Sequence, residues 1–272
     1  MTRLNLKEGG VDQTGRPADL QRFAAALTQS ALESAPYDHR IVADAFDEAF
    51  LDTLRAAYPD PDTMPRVHDR RAGQRQSYSK DRYAITIPQP GDPAYRDWAE
   101  PFQRLSGLLR SPQAVGGLLK AFWGTIGPRV AAIGAQEQVD LINVLMEVEI
   151  VLDRSGFSLN AHTDGQLKLL TGLIYLPLPG DDEDLGTRVF EPLDPALSDG
   201  GDRYLPLSAM RTVKTAPYRR NTMLLFARSD RSFHGVMPTP PGAERRLVQF
   251  SLAMATAGPN AGDTAGASAA SR

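Results

Sequence analysis

Residues 157 to 177, FSLNAHTDGQLKLLTGLIYLP, decide how this chain is read. His162 and Asp164, two positions apart, stand directly before a long apolar and aromatic run that closes on a proline. That run has the composition of a strand. Two residues apart at a strand end, the imidazole and the carboxylate project to the same side and could share a metal ion. Taken alone, the pair is more commonly a hydrogen-bonded polar turn.

Working outward, VDLINVLMEVEIVLD (139 to 153) is also β-rich. Shorter strand candidates follow at Thr187–Phe190, Met210–Lys214, Thr222–Phe226 and Arg246–Leu252, separated by Gly/Pro/Asp-rich turns. The first half reads as helical. Leu20, Phe23, Leu27 and Ala31 keep one helical face apolar. Asp47 is placed as an N-cap, with Phe46 stapling onto Leu51. Trp98, Phe102, Leu105 and Leu109 repeat the helical spacing, and Ser111-Pro112 opens a further helix toward Trp123. Helices followed by many short strands predict an α+β chain whose second half is a small barrel or jelly roll. The expected layout is one domain over 1–255, with a helical lead-in at 18–126 and a barrel core at about 139–254. Residues 256–272 are small and polar, and are expected to form a disordered, dispensable tail.

Composition excludes several function classes. The chain has 272 residues and a net charge of −3, so no global field favours nucleic acid or an anionic membrane. Having no cysteine, it can form no disulfide, zinc–thiolate site or thiol nucleophile. No apolar run is long enough to span a bilayer, and the N-terminal MTRLNLKEGGVDQTGRP has no signal-length apolar core, so the expected location is cytoplasmic. Residues 66–82, RVHDRRAGQRQSYSKDR, are basic. They read either as a solvated loop or as a lid whose arginines meet an anionic group on a substrate.

The metal reading gains from a second motif. Seventy-two residues after His162, NTMLLFARSDRSFHGVMP gives a strand, a polar turn and then His234, a position that can reach across a barrel. Two imidazoles and a carboxylate match the ligand set of a non-haem Fe(II) centre with open positions, whereas structural zinc sites are closed by four protein groups. Arg245 and Arg246 follow eleven and twelve residues after His234. An arginine beside such a metal suits a chelating dicarboxylate, whose distal carboxylate it can hold in a bidentate fork.

In this combination the sequence resembles the Fe(II)/2-oxoglutarate-dependent oxygenases, most closely the prolyl-hydroxylase-related branch. The resemblance runs from about residue 139 to 254, through GFSLNAHTDGQLKLLTGLIYLP, LGTRVFEP, NTMLLFARSDRSFHGV and ERRLVQFSL, and PYDHRIVADAFDEAFLDTL resembles the branch's helical lead-in. One departure is Leu185-Gly186, where the branch often has a glycine pair. The resemblance implies a double-stranded β-helix (jelly-roll) barrel with supporting N-terminal helices. It also implies His162, Asp164 and His234 as metal ligands and catalytic centre, with Fe(II), 2-oxoglutarate and O2 as the reacting set. Turnover would release succinate and CO2, with hydroxylation, desaturation or ring closure of a substrate. Halogenation is not expected, because Asp164 is present where halogenating relatives have a small residue.

Strand phase separates the two arginines. Arg245 shares a face with Leu247, Gln249 and Ser251, and Arg246 with Val248, Phe250 and Leu252. The mixed face suits a polar cavity and the apolar face suits packing on helices. Arg245 is therefore the expected co-substrate clamp, and Arg246 is expected at the rim. Lys168, four residues past Asp164, is either a partner of the ligands, a contact of the co-substrate or an exposed lysine. His39 and His68 are expected at the surface or in packing. The expected substrate is a small molecule such as an amino-acid derivative or natural-product intermediate, with no nucleic acid or membrane partner. The competing readings are hydroxylation of a residue on a protein partner and a non-catalytic metal- or ligand-binding barrel.

Overall fold

The computed structural model describes residues 2–6, 16–70, 81–201 and 203–255. The 256–272 tail and the 71–80 part of the basic stretch lie outside the described residues. The helices are α1 (Pro17–Gln29), α2 (Glu48–Ala56), α3 (Val67–Arg70), α4 (Glu100–Arg110), α5 (Pro112–Ala121) and α6 (Trp123–Gln136). The first four strands are β1 (Arg3–Leu6), β2 (His39–Ala43), β3 (Arg82–Thr86) and β4 (Leu141–Asp153). They are followed by β5 (Leu159–His162), β6 (Lys168–Tyr175), β7 (Arg188–Pro192) and β8 (Met210–Thr215). The last three are β9 (Thr222–Ala227), β10 (His234–Val236) and β11 (Arg245–Met254).

The strands form two sheets. The larger has seven strands in the order β1-β4-β11-β6-β9-β2, with β3 also paired to β4, and the smaller has the order β5-β10-β7-β8. Alternation along the long strands sorts their side chains. On β4, β11 and β9, one face (Val148, Ile150, Val248, Phe250, Met223, Leu225) joins Phe23, Leu51, Phe102, Leu105, Leu118 and Ile126 of the helices in one core. The opposite face (Val151, Leu224, Phe226, Leu247), with Leu173 and Tyr175 of β6, packs with Val189 of the smaller sheet. An inner strand covered on both sides reads as continuously apolar. This is why β6 is buried along almost its whole length. Gly172 of β6 is opposite Phe250 of β11, and a Cβ there would lie 2.1 Å from the Phe250 ring. The glycine gives that ring its space. This α+β, two-sheet arrangement is the double-stranded β-helix expected from sequence.

The caps form as read. Asp47 Oδ1 accepts from the Ala49 and Phe50 amides at 3.0 and 3.3 Å, and Ser111 Oγ accepts from the Ala114 amide at 3.2 Å. Other readings are corrected. Ala31 lies beyond the end of α1 and is exposed, while Ala26 is buried in its place. Trp98 precedes α4 and packs edge-on against Phe102, with ring centroids 6.3 Å apart. The helical lead-in does not stop near 126, because α6 continues to Gln136 through Pro128, anchored by buried Ile126 and Val130. The barrel does not begin at 139 either, since β1, β2 and β3 all join the larger sheet. His39 is fully buried packing on β2, and the His68 side chain lies outside the described residues. Among the described residues, no helix is long and apolar enough to cross a membrane.

Candidate metal and co-substrate site

Register brings the histidines together. β5 and β10 run antiparallel with His162 directly opposite His234, and the ring centroids are 4.3 Å apart. His234 is thus the cross-strand neighbour of His162 within one sheet. Asp164 follows just past the end of β5. One ligand atom from each of His162, Asp164 and His234 lies within 4.8 Å of the others, and all three residues are buried. This is the sole such group among the described residues.

Hydrogen bonds fix how each group presents itself. The Nδ1 atoms of His162 and His234 lie 3.0 Å from the Asn160 and Ser232 carbonyls. A carbonyl can only accept, so each Nδ1 carries the proton and each Nε2 keeps its lone pair for a cation. The Asp164 carboxylate accepts from Thr171 Oγ1 at 2.6 Å and from Lys168 Nζ at 3.1 Å. Lys168 thus partners Asp164, one of the roles foreseen for it. Arg228, also buried, donates to the Asp164 carbonyl at 3.1 Å and holds the turn in place. Tyr204 stacks on the His162 ring at 5.0 Å.

Burial and neighbouring charge set the protonation states. Burial first, then His234, push the His162 imidazole down to about 3 against the pull of Asp164. Burial likewise lowers His234, again opposed by Asp164. Burial alone would raise Asp164, but Lys168, the two imidazoles and the Thr171 hydroxyl hold it well below the usual carboxylate range. Two neutral imidazoles and a carboxylate, with no fourth protein ligand in the group, fit a divalent ion with open positions.

This protonation has a consequence for stability. Below the ordinary histidine value of 6.5, the unfolded chain binds protons that the folded chain refuses. As pH falls from there, the metal-free fold loses about 1 kcal/mol per pH unit from His162, and His234 adds a loss in the same direction. Asp164 adds no slope until pH nears its ordinary value of 3.8. Urea midpoints of metal-free protein at pH 7 and pH 5.5 check this. An unchanged midpoint would contradict two buried neutral imidazoles.

Arg245 is 1% exposed and lines the same cavity as the three clustered side chains, a space of about 60 Å³ between the sheets. Leu159, Leu173, Val236, Leu247 and Gln249 share its wall. The phase argument is matched in the structure, since Arg245, Leu247 and Gln249 face the cavity while Val248, Phe250 and Leu252 pack toward the helices. Ser251 is buried on the inner face without lining the cavity. Arg246 pairs with Glu244 at 2.7 Å and lies over the Tyr58 ring, outside the cavity. Arg245 donates to the Leu185 carbonyl at 2.7 Å, to Asp153 at 2.7 Å and to Thr187 Oγ1 at 2.8 Å. These three bonds leave two of its five N–H donors for a ligand.

The Leu185-Gly186 departure matters here. A Cβ on Gly186 would sit 1.6 Å from the Ala216 carbonyl oxygen, so the turn that offers the Leu185 carbonyl to Arg245 closes only around glycine. Gly186→Ala is expected to destabilise the fold by about 2–3 kcal/mol and lower Tm by roughly 5–10 °C. A Tm unchanged within error would show that the turn relaxes freely.

Sequence reasoning missed Thr171, Thr187 and Asp153, and read Arg82 only as the last residue of the basic 66–82 stretch. Asp153 is fully buried and accepts from Arg82 Nε and Nη2 at 2.6 and 2.9 Å as well as from Arg245. The one signal in the sequence was parity, because Asp153 shares the inner face of β4 with Val151. Two wider grooves, about 840 and 880 Å³, lie along the helices and carry no such cluster among the described residues.

No family model and no curated protein matches the chain. Solved structures do. A prolyl-4-hydroxylase from Pseudomonas putida has a TM-score of 0.51 at 14% identity, covering 86% of this chain and 98% of that one. The epimerase SnoN from nogalamycin biosynthesis has a TM-score of 0.48 at 16% identity, covering 88% and 84%. A 2OG-Fe(II) oxygenase family oxidoreductase from Burkholderia pseudomallei has a TM-score of 0.45 at 15% identity, covering 93% and 95%. The chain has the fold of prolyl-4-hydroxylase, the double-stranded β-helix of the Fe(II)/2-oxoglutarate oxygenases.

Proposed function

We propose that this chain is an Fe(II)- and 2-oxoglutarate-dependent dioxygenase that hydroxylates an unactivated C–H bond of a small molecule. The observation that carries the reading is the meeting of His162, Asp164 and His234 on the wall of a cavity that also holds Arg245. The metal and co-substrate, when bound, supply coupled chemistry in which 2-oxoglutarate goes to succinate and CO2 while dioxygen oxidises the substrate. The protein's part is geometric and electrostatic. His162, Asp164 and His234 would hold the ion, and carbonyls behind both imidazoles keep them aimed. Lys168 and Thr171 fix the Asp164 carboxylate. Arg245, held from three sides, would receive the distal carboxylate of 2-oxoglutarate. Leu159, Leu173, Val236 and Leu247 exclude water from the same space.

The net charge of −3 favours a small-molecule substrate over nucleic acid. The test is substrate-dependent succinate release across a panel of small metabolites and, in parallel, size-fractionated lysate proteins. The reading expects stimulation by a metabolite. Stimulation confined to the protein fraction would make it a protein hydroxylase, and no 2-oxoglutarate consumption under any condition would leave a binding barrel.

A further inference from the structure

We propose that the β7–β8 connection positions the metal ligands from outside the cavity, with Asp199 as the positioning residue acting through Thr163; the inference rests on the dioxygenase reading above. Four consecutive residues, Ala161 to Asp164, carry the first histidine and the carboxylate, and the connection touches each of them. The Leu205 amide donates to the Ala161 carbonyl at 2.7 Å, and the Tyr204 ring stacks on His162. Thr163 Oγ1 lies 3.0 Å from the Asp199 carbonyl oxygen and 3.1 Å from Asp199 Oδ2, sharing its one proton between them. Gly201 lies against the Asp164 backbone, where a Cβ would come within 2.2 Å of the carbonyl oxygen. Leu197, Leu205 and Leu207 of the connection pack on the small core that holds Ala161 and Phe233. Those two residues immediately precede the two histidines, and neither lines the cavity.

Among the described residues of the connection, Asp199 alone is a buried charged group. Its carboxylate accepts from Thr163, from the Gly201 amide at 3.2 Å and from Arg203 Nε at 3.0 Å. A carboxylate withdrawn from water is tolerated only with such donors fixed around it, and it fixes them in turn. The Asp199 amide donates to the Asp230 carbonyl at 2.8 Å, Asp230 pairs with Arg228, and Arg228 donates to the Asp164 carbonyl at 3.1 Å. The bonds therefore close into a ring. It leaves the chain at Thr163, runs through Asp199, Asp230 and Arg228, and returns at Asp164. The peptide joining Thr163 to Asp164 is held on both sides, which sets the angle of the carboxylate to the His162 ring. The Asn160 carbonyl at His162, and Lys168 and Thr171 at Asp164, fix each ligand singly; the ring fixes one against the other.

The test is metal binding by the full chain, with Fe(II) alone titrated under argon against a chromogenic chelator. Thr163→Val nearly keeps the side chain's shape and removes its hydroxyl. It is expected to lower Fe(II) affinity about tenfold, while the metal-free protein loses only about 2–4 °C in Tm. Thr163→Ser returns the hydroxyl and should recover most of that affinity. The visible spectrum of Co(II)-loaded protein, which reports ligand geometry, should change in Thr163→Val and revert in Thr163→Ser. Asp199→Ala should also weaken Fe(II) binding, but clearly less in a Thr163→Val background than in wild type, because the path through Thr163 is already cut. Should Asp199→Ala fail to fold, the two Thr163 variants and the Co(II) spectrum carry the test. Fe(II) affinity within about threefold of wild type in Thr163→Val would overturn the proposal. So would a serine variant no better than the valine one, an unchanged Co(II) spectrum, or losses at 163 and 199 that simply add. A wild-type protein that binds no divalent ion would instead remove the dioxygenase reading on which the proposal rests.

Discussion

Asp164→Ala is expected to abolish 2-oxoglutarate turnover and to lower affinity for Fe(II) by more than about a hundredfold, beyond the loss typical of removing an outer hydrogen-bond partner. The carboxylate is the sole anionic member of the cluster, and two neutral imidazoles alone hold a divalent ion weakly. The fold should survive. The variant removes one acceptor each from Thr171 and Lys168, but Lys168 is partly exposed and Thr171 is one small hydroxyl. Metal content after reconstitution and desalting, read beside far-UV circular dichroism, separates loss of the ion from loss of the fold. Full activity in Asp164→Ala would remove the three-ligand assignment.

Arg245→Ala is expected to raise the Michaelis constant for 2-oxoglutarate by about two orders of magnitude, from the roughly 2–4 kcal/mol of a charge-assisted, two-point contact. Asp153 keeps its fork from Arg82, so the buried carboxylate is not orphaned by the change. Arg246→Ala is the matched control. It loses a partly exposed pair with Glu244 and a contact with Tyr58, outside the cavity, so the constant should move by no more than about threefold. If Arg246→Ala has the larger effect, the side of the strand assigned to the co-substrate is wrong.

The parts of this molecule that were legible in the sequence are those set by local chemistry. Asp47 and Ser111 cap helices through bonds two or three residues away, and β4, β6 and β11 declare themselves by long apolar runs. That Arg245 lines the cavity and Arg246 lies outside it follows from alternation alone. What escaped depends on pairing between distant segments. β1 and β3 are short edge strands, RLNL and RYAIT, whose mixed polarity carries no period until β4 lies beside them. α6 contains Gly124, Gly127 and Pro128, residues that argue against a helix, and burial of Ile126 and Val130 overrides them. His234 could be named as a candidate ligand but not placed, because only the β5–β10 register makes it the neighbour of His162. Arg82, Asp153 and Arg245 meet because β3, β4 and β11 set them in one row, with Asp153 the register partner of both arginines. No window of sequence contains that row.

The central claim, that this cavity uses Fe(II) to couple dioxygen to 2-oxoglutarate, is tested most directly by isotope release. Purified protein is incubated in air with Fe(II), a reductant and 2-oxoglutarate carrying a labelled C1 carboxyl, and labelled CO2 is counted against succinate. The account predicts the two products in equal amounts, dependent on Fe(II) and dioxygen, and absent from the Asp164→Ala protein. Release of CO2 without matching succinate, or equal release by wild type and Asp164→Ala, would contradict it.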